Sequence, residues 1–184
     1  MSKFVLFTAC IATSALLCNF ANANSISPYV EQQSREIKSL NPEDVQGYMA
    51  GKGMGLAKAA ELNGYPGPSH VLAMAHELAL TAEQKQFTES LFKNMEAKAI
   101  SFGRPLVEEE RKLNQLFAIK AITPESLAQS LNRIGELQEQ VRQAHLEAHL
   151  AQTAILTPEQ IAKYNALRGY TDVPATEHHN EHHH

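Results

Sequence analysis

His145 and His149 lie four residues apart in the stretch Ala144 to Gln160, AHLEAHLAQTAILTPEQ. On an α-helix that spacing stacks both imidazoles on one face, close enough to share one metal ion. Neutral imidazole is a common ligand for zinc, copper and nickel, so a site for a divalent transition metal is the chemistry these two residues could do. The same spacing would also arise from a polar patch at the open end of a helical bundle, with the histidines hydrogen-bonded or solvated. The string His145-Leu146-Glu147-Ala148-His149 differs from a zincin motif. Its Glu147 falls one place late and points away from both rings, so it could not act as that motif's base.

Two further groups carry potential ligands. His70, Met74 and Glu77 are spaced i, i+4, i+7 and would share a helix face, with His76 flanking it. Imidazole and thioether together suit a soft ion such as copper(I), with Glu77 a harder ligand. The ordinary alternative makes Met74 a core filler and His70 a surface residue. The last run, from Glu177 to His184, contains His178, His179, His182, His183 and His184. Flexible histidines of this kind bind nickel, copper or zinc without a preformed site. An added purification tag is the competing explanation, although Asn180 and Glu181 interrupt the run.

Catalytic readings are weak, and no enzyme is expected. Glu108-Glu109-Glu110-Arg111-Lys112 reads as a solvated helix face, and nothing orients a serine nucleophile. Gly51-Lys52-Gly53-Met54-Gly55 lacks the P-loop pattern and follows no strand-like run, so it is not a phosphate loop. Close packing of small residues is the better account of those glycines.

Residues 1–23 read as a secretory signal: Lys3 starts it, Phe4 to Leu17 form the apolar run, and Ala21-Asn22-Ala23 forms a small-residue cleavage site. The apolar run is too short to span a bilayer comfortably, and neither Cys10 nor Cys18 follows a convincing lipobox. Both cysteines leave with the signal, which excludes a thiolate metal site in the exported chain. Loss of Lys3 takes the net charge from −4 to −5, so there is no basic footprint for nucleic acid.

The remaining chain suits one all-α domain. Residues 24–68 form a helical and glycine-rich segment, 69–170 the main helical domain, and 171–184 a flexible histidine-rich tail. A short helix between Pro28 and Leu40 would use Tyr29, Ile37 and Leu40 as contacts. Asn41-Pro42-Glu43-Asp44 starts another, and Met54, Leu56 and Leu62 are expected to be buried beyond it. Ser69 is expected to cap a helix from His70 to Leu78. Thr81-Ala82-Glu83-Gln84 is a capping box opening a long helix with a stripe of Phe87, Leu91, Met95, Phe102, Leu106, Leu113 and Leu116. Pro105 predicts a kink or break in it.

Thr123-Pro124-Glu125 opens a second long helix, with Leu127, Leu131, Ile134, Leu137 and Val141 buried. His145, His149, Gln138 and Gln152 extend that buried face. Thr157, Pro158 and Gln160 start a last helix, which ends near Leu167 before Gly169. The economical arrangement is a long antiparallel helical hairpin with shorter helices packed on it.

Leu80 to Gln84 and Leu156 to Gln160 are two copies of Leu-Thr-x-x-Gln, and they resemble the signature of the Spy/CpxP-like periplasmic proteins. The resemblance covers roughly His70 to Tyr170. His76-Glu77 before the first copy, and the histidine-bearing helix before the second, look like the periplasmic heavy-metal sensor and resistance branch. The resemblance implies a non-enzymatic all-α hairpin, often a homodimer, working in the periplasm without ATP. It senses or buffers metal through histidine and carboxylate ligands, or holds unfolded clients as a chaperone or envelope-stress regulator. A membrane sensor protein is a further partner of this kind. By that resemblance His76 matches the histidine of the sensors' His-Glu pair, and His145 or His149 lies where a later ligand is expected. Leu72 stands where a sensor has another histidine, and no carboxylate matches near Phe92.

Overall fold

The computed structural model describes residues 26–170. The expected signal segment and the histidines of the 171–184 run lie outside the described residues. Contacts divide the chain into two units, the first ending at Gln33 and the second beginning at Ser34. Within the first, the described residues make one 3₁₀ turn, Val30–Gln32. Ser27 supports it, accepting the Val30 amide on its carbonyl and the Tyr29 amide on its hydroxyl.

The second unit contains, among the described residues, α1 (Pro42–Met49), α2 (Lys58–Glu61), α3 (Pro68–Ala73), α4 (Ala82–Ala118), α5 (Pro124–Ile155) and α6 (Pro158–Leu167). Four starts follow one rule. Asn41, Thr81, Thr123 and Thr157 each accept the N3 amide, while the N3 side chain reaches back to the cap's own N–H. Each box pairs two amides that the first helical turn would otherwise leave without partners.

Three contacts set the pairing of α4 with α5. Gln152 donates to Thr88, Glu147 faces Lys98 at 3.6 Å, and Ser130 donates to Glu109. Numbers rise along α4 as they fall along α5, so the hairpin is antiparallel. Its core at mid-length is Leu106, Ile134 and Leu137, with Tyr48, Phe102 and Leu113 packed around them. Each fully buried leucine there contributes about 2 kcal/mol by leaving water. A second core, Val71, Leu78, Leu156 and Tyr164, closes the open end and takes in Met74, Leu80, Ile161 and Tyr170. Among the described residues no helix is long and apolar enough to cross a membrane.

The two Leu-Thr-x-x-Gln copies meet there. Gln84 donates to the side-chain oxygen of Gln160 at 2.8 Å, and Gln160 donates back to that of Gln84 at 3.0 Å. The remaining amide hydrogens go to the carbonyls of Ile155 and Leu78, at 3.0 and 3.2 Å. The carboxamide oxygens also accept the Thr81 and Thr157 amides. All the hydrogen-bonding capacity of both carboxamides is therefore in use.

Several expectations fail for identifiable reasons. Pro28 to Leu40 forms no α-helix: only Ile37 is buried, which leaves no apolar stripe for a helix to cover. Gly67, not Ser69, is the N-cap of α3, because Pro68 takes the first helical position. That helix stops at Ala73, well short of Leu78. Met54 and Leu62 are exposed and Leu56 only half-buried; Ala60 and Glu61 are buried instead. Phe87 and Leu131, placed on the buried stripes by periodicity, are exposed.

α4 runs through Pro105 without a break. The proline faces solvent, so water can solvate the Ser101 carbonyl that loses its partner, while the neighbouring Leu106 and Val107 are each 1% exposed and hold the helix in the core.

α1 crosses α4 at Gly103, where a Cβ would fall inside van der Waals distance of the Tyr48 carbonyl. Gly103→Ala is expected to lose about 1–3 kcal/mol in urea denaturation through overpacking. Gly135→Ala, where a Cβ would meet nothing within 4 Å, should instead gain up to ~1 kcal/mol from helix propensity. Gln84→Leu or Gln160→Leu should each cost roughly 2–4 kcal/mol by stranding part-buried polar groups. The double variant should lose less than the sum, because the pair is shared.

Candidate functional site

A cleft of about 560 Å³ opens beside α5, walled by the glycine-rich loop 50–58, α2, the start of α3, Phe92, Met95 and Glu96 of α4, and Arg168 and Tyr170 beyond α6. His145 and His149 reach it from α5, and His70 from α3. The i, i+4 spacing thus does bring the two α5 imidazoles to one place. Small residues make the space. At Gly67 a Cβ would come within 2.8 Å of the His149 ring, so any larger residue would displace it.

Each α5 ring is oriented by backbone. His149 Nδ1 lies 2.7 Å from the Tyr65 carbonyl, which fixes Nδ1 as the protonated nitrogen and leaves the Nε2 lone pair available. His145 is 4% exposed, its Nε2 has no hydrogen-bond partner among the described residues, and the Lys52 backbone hydrogen-bonds to its ring. Orientation of one ring nitrogen by a carbonyl is the arrangement metal-binding histidines use. Burial, and then the neighbouring His149, hold the His145 pKa below its usual 6.5, which keeps the ring neutral and its lone pair free.

Glu61, at the end of α2, ties this wall to the C-terminal helix. Its Oε1 accepts from the Tyr164 hydroxyl at 2.6 Å, from Arg168 at 3.2 Å and from the Tyr170 hydroxyl at 3.2 Å, with His70 Nδ1 at 3.5 Å. Its Oε2 is buried without a hydrogen bond, 3.8 Å from His149 Nδ1. Burial, followed by the Glu61 hydrogen bond, pushes the Tyr164 phenol up, so it remains a donor. Glu61 was not singled out by spacing. The available signal was its isolation: it is the single acid between Ala50 and Ser69. Tyr164, Arg168 and Tyr170 gave no local signal, because only the tertiary fold brings them to Glu61.

The His70, Met74, Glu77 group does not assemble. α3 ends before Met74, which packs into the open-end core, while Glu77 and His76 are exposed in the following turns. Gln152 is fully buried as expected, but Gln138 is exposed. Among the described residues no three or more His, Cys, Asp or Glu side chains are arranged to hold a metal ion. The cleft therefore contributes two oriented imidazoles, with the near face of Glu61 already committed to Tyr164, Tyr170 and Arg168.

The reciprocal pairing of Gln84 with Gln160 gives the repeated motif its structural meaning, and the profile of the LTXXQ motif family protein matches residues 68–168. The chain belongs to the LTXXQ motif family. That match places it in the Spy/CpxP-like superfamily and covers the hairpin and both motif copies. No curated protein and no solved structure matches the chain.

A depressed histidine pKa means that the unfolded chain binds the proton more readily than the folded one. His145 thus contributes stability that is present above about pH 6.5 and is lost as pH falls through its folded value. The thermal midpoint should decline on acidification below about pH 6.5. His145→Gln should flatten that part of the profile, and an unchanged slope would refute the assignment.

Proposed function

We propose that this LTXXQ-family protein works in the periplasm without enzymatic activity, and that it binds a divalent transition metal through His145 and His149 in heavy-metal sensing or resistance. The observation that supports this reading is the pair of α5 imidazoles in one cleft, each oriented through its backbone contact. His145 Nε2 is buried there without a hydrogen-bond partner among the described residues. A buried, unpartnered nitrogen lone pair costs stability, and a bound cation would remove that cost.

Zinc, copper(II) and nickel all accept imidazole, and the exported chain has no thiolate to favour a softer ion. Bound metal would occupy the Nε2 lone pairs and so exclude a second proton from each ring. The cleft's remaining carbonyls and solvent would surround the ion. Glu61 links that position to Tyr164, Arg168 and Tyr170, so occupancy would be felt at the end of α6. This is the element through which a sensor could report.

A second reading, holding of unfolded clients, draws on the exposed apolar side chains Phe87, Leu131 and Leu150 along the hairpin. These would supply contact area for an extended apolar chain. The two readings separate cleanly. Zinc added to protein labelled with ¹⁵N-histidine should shift the Nε2 resonances of His145 and His149 far more than their Nδ1 resonances. His145→Ala/His149→Ala should abolish the corresponding binding step in calorimetry. Absence of any Nε2 shift, together with metal-independent suppression of client aggregation, would replace metal binding with the holdase reading.

A further inference from the structure

Buried polar atoms without a hydrogen bond are rare, and each one calls for a physical reason. Among the described residues four side-chain atoms are of this kind, and two of them, Glu61 Oε2 and His145 Nε2, belong to residues lining the same cleft. They come from separate elements, α2 and α5.

Glu61 is 8% exposed, and its two oxygens are served unequally. Oε1 accepts from the Tyr164 and Tyr170 hydroxyls and the Arg168 guanidinium, whereas Oε2 accepts from no group among the described residues. His149 Nδ1 lies 3.8 Å from Oε2, but its hydrogen goes to the Tyr65 carbonyl at 2.7 Å. The bare oxygen and the His149 ring border one gap, which a side chain at Gly67 would fill. A Cβ there would stand 2.9 Å from His149 Nε2 and 3.6 Å from Glu61 Oε2. Glycine leaves open a space that touches both.

We propose that Glu61 Oε2 is the third metal ligand of the cleft, joining His145 Nε2 and His149 Nε2 on one divalent ion. The inference rests on the reading of the two histidines as ligands and adds a carboxylate from α2. Glu61 precedes the family-matched residues 68–168, so this ligand comes from outside the motif region. Two imidazoles and a carboxylate suit zinc or nickel better than copper(I). Zinc held in this way keeps a fourth position for solvent, unlike the closed four-ligand sites of structural zinc. The carboxylate also offsets half of the ion's charge, which two neutral imidazoles leave whole. The three donors on Oε1 then act as the outer support that holds a ligating carboxylate in place. As described, the three groups do not form a ligand set. Binding would contract the cleft, and the broad terminal torsion of a glutamate lets Oε2 turn toward the rings.

The test titrates the full chain with zinc and follows the Nε2 resonances of His145 and His149, which report the cleft alone. In Glu61→Gln the amide oxygen can still accept from Tyr164, Arg168 and Tyr170, but the other position becomes an NH₂ that cannot ligate. The zinc concentration that half-shifts both resonances should rise at least tenfold in that variant. A crystal structure of the zinc-loaded wild-type chain should place Oε2 about 2.0–2.2 Å from the ion. That distance separates ligation from a merely supporting role, and it decides the matter by itself should the variant fail to fold.

An ion held by both rings with Oε2 more than ~3 Å away would overturn this inference. So would an unchanged titration in Glu61→Gln, and either result leaves the histidines as ligands. No shift of either histidine in the wild-type chain would remove the metal reading itself, and this inference with it.

Discussion

The fold depends on two carboxamides that bind each other. Gln84 and Gln160 each serve as the N3 residue of a capping box, and each uses its remaining valences on the other and on a carbonyl from the opposite strand of chain. A carboxylate could not do this, because it has no hydrogen to donate. An aliphatic residue would leave two helix starts and two carbonyls without partners. The pair fixes where α4 begins against where α6 begins, so the open end of the hairpin has one geometry. The apolar core of Val71, Leu78, Leu156 and Tyr164 then packs on a frame already set by hydrogen bonds.

The cleft lies between that frame and the core at mid-hairpin. It exists because the segment before α3 is rich in glycine and alanine and cannot fill the space beside α5. Polar residues enter from several elements, and the buried Glu61 organises them. A buried carboxylate is costly unless its oxygens are paired. Here one oxygen is amply served and the other is not. The cleft therefore combines a rigid wall with local polar groups that have unused bonding capacity, a combination suited to taking up a cation.

Much of this was legible in the residues taken alone. Capping boxes at Thr81 and Thr157 and the proline starts after Asn41 and Thr123 identified helix beginnings, because those signals are local in sequence. The His145 and His149 pair was legible for the same reason: helical spacing is a local property. Failures came where tertiary packing outweighed pattern. Periodicity placed Phe87 and Leu131 in the core, yet no partner element covers that part of the stripe. Pro105 signalled a kink or a break; α4 continues through it, with Leu106 and Val107 buried beside it. The His70, Met74 and Glu77 wheel assumed a helix that stops at Ala73. Glu61 is more than a hundred residues from Tyr164, Arg168 and Tyr170, beyond the reach of any spacing argument.

The last helix has an unusual boundary condition. Helices near a chain terminus ordinarily fray, since few contacts restrain their final turn. α6 is fastened at its start by Gln160 and beyond its end by Arg168 and Tyr170 on Glu61. It behaves mechanically as a beam held at both supports rather than as a free cantilever. A pull at Tyr170 would accordingly be borne by the Glu61 cluster before it reached the hairpin.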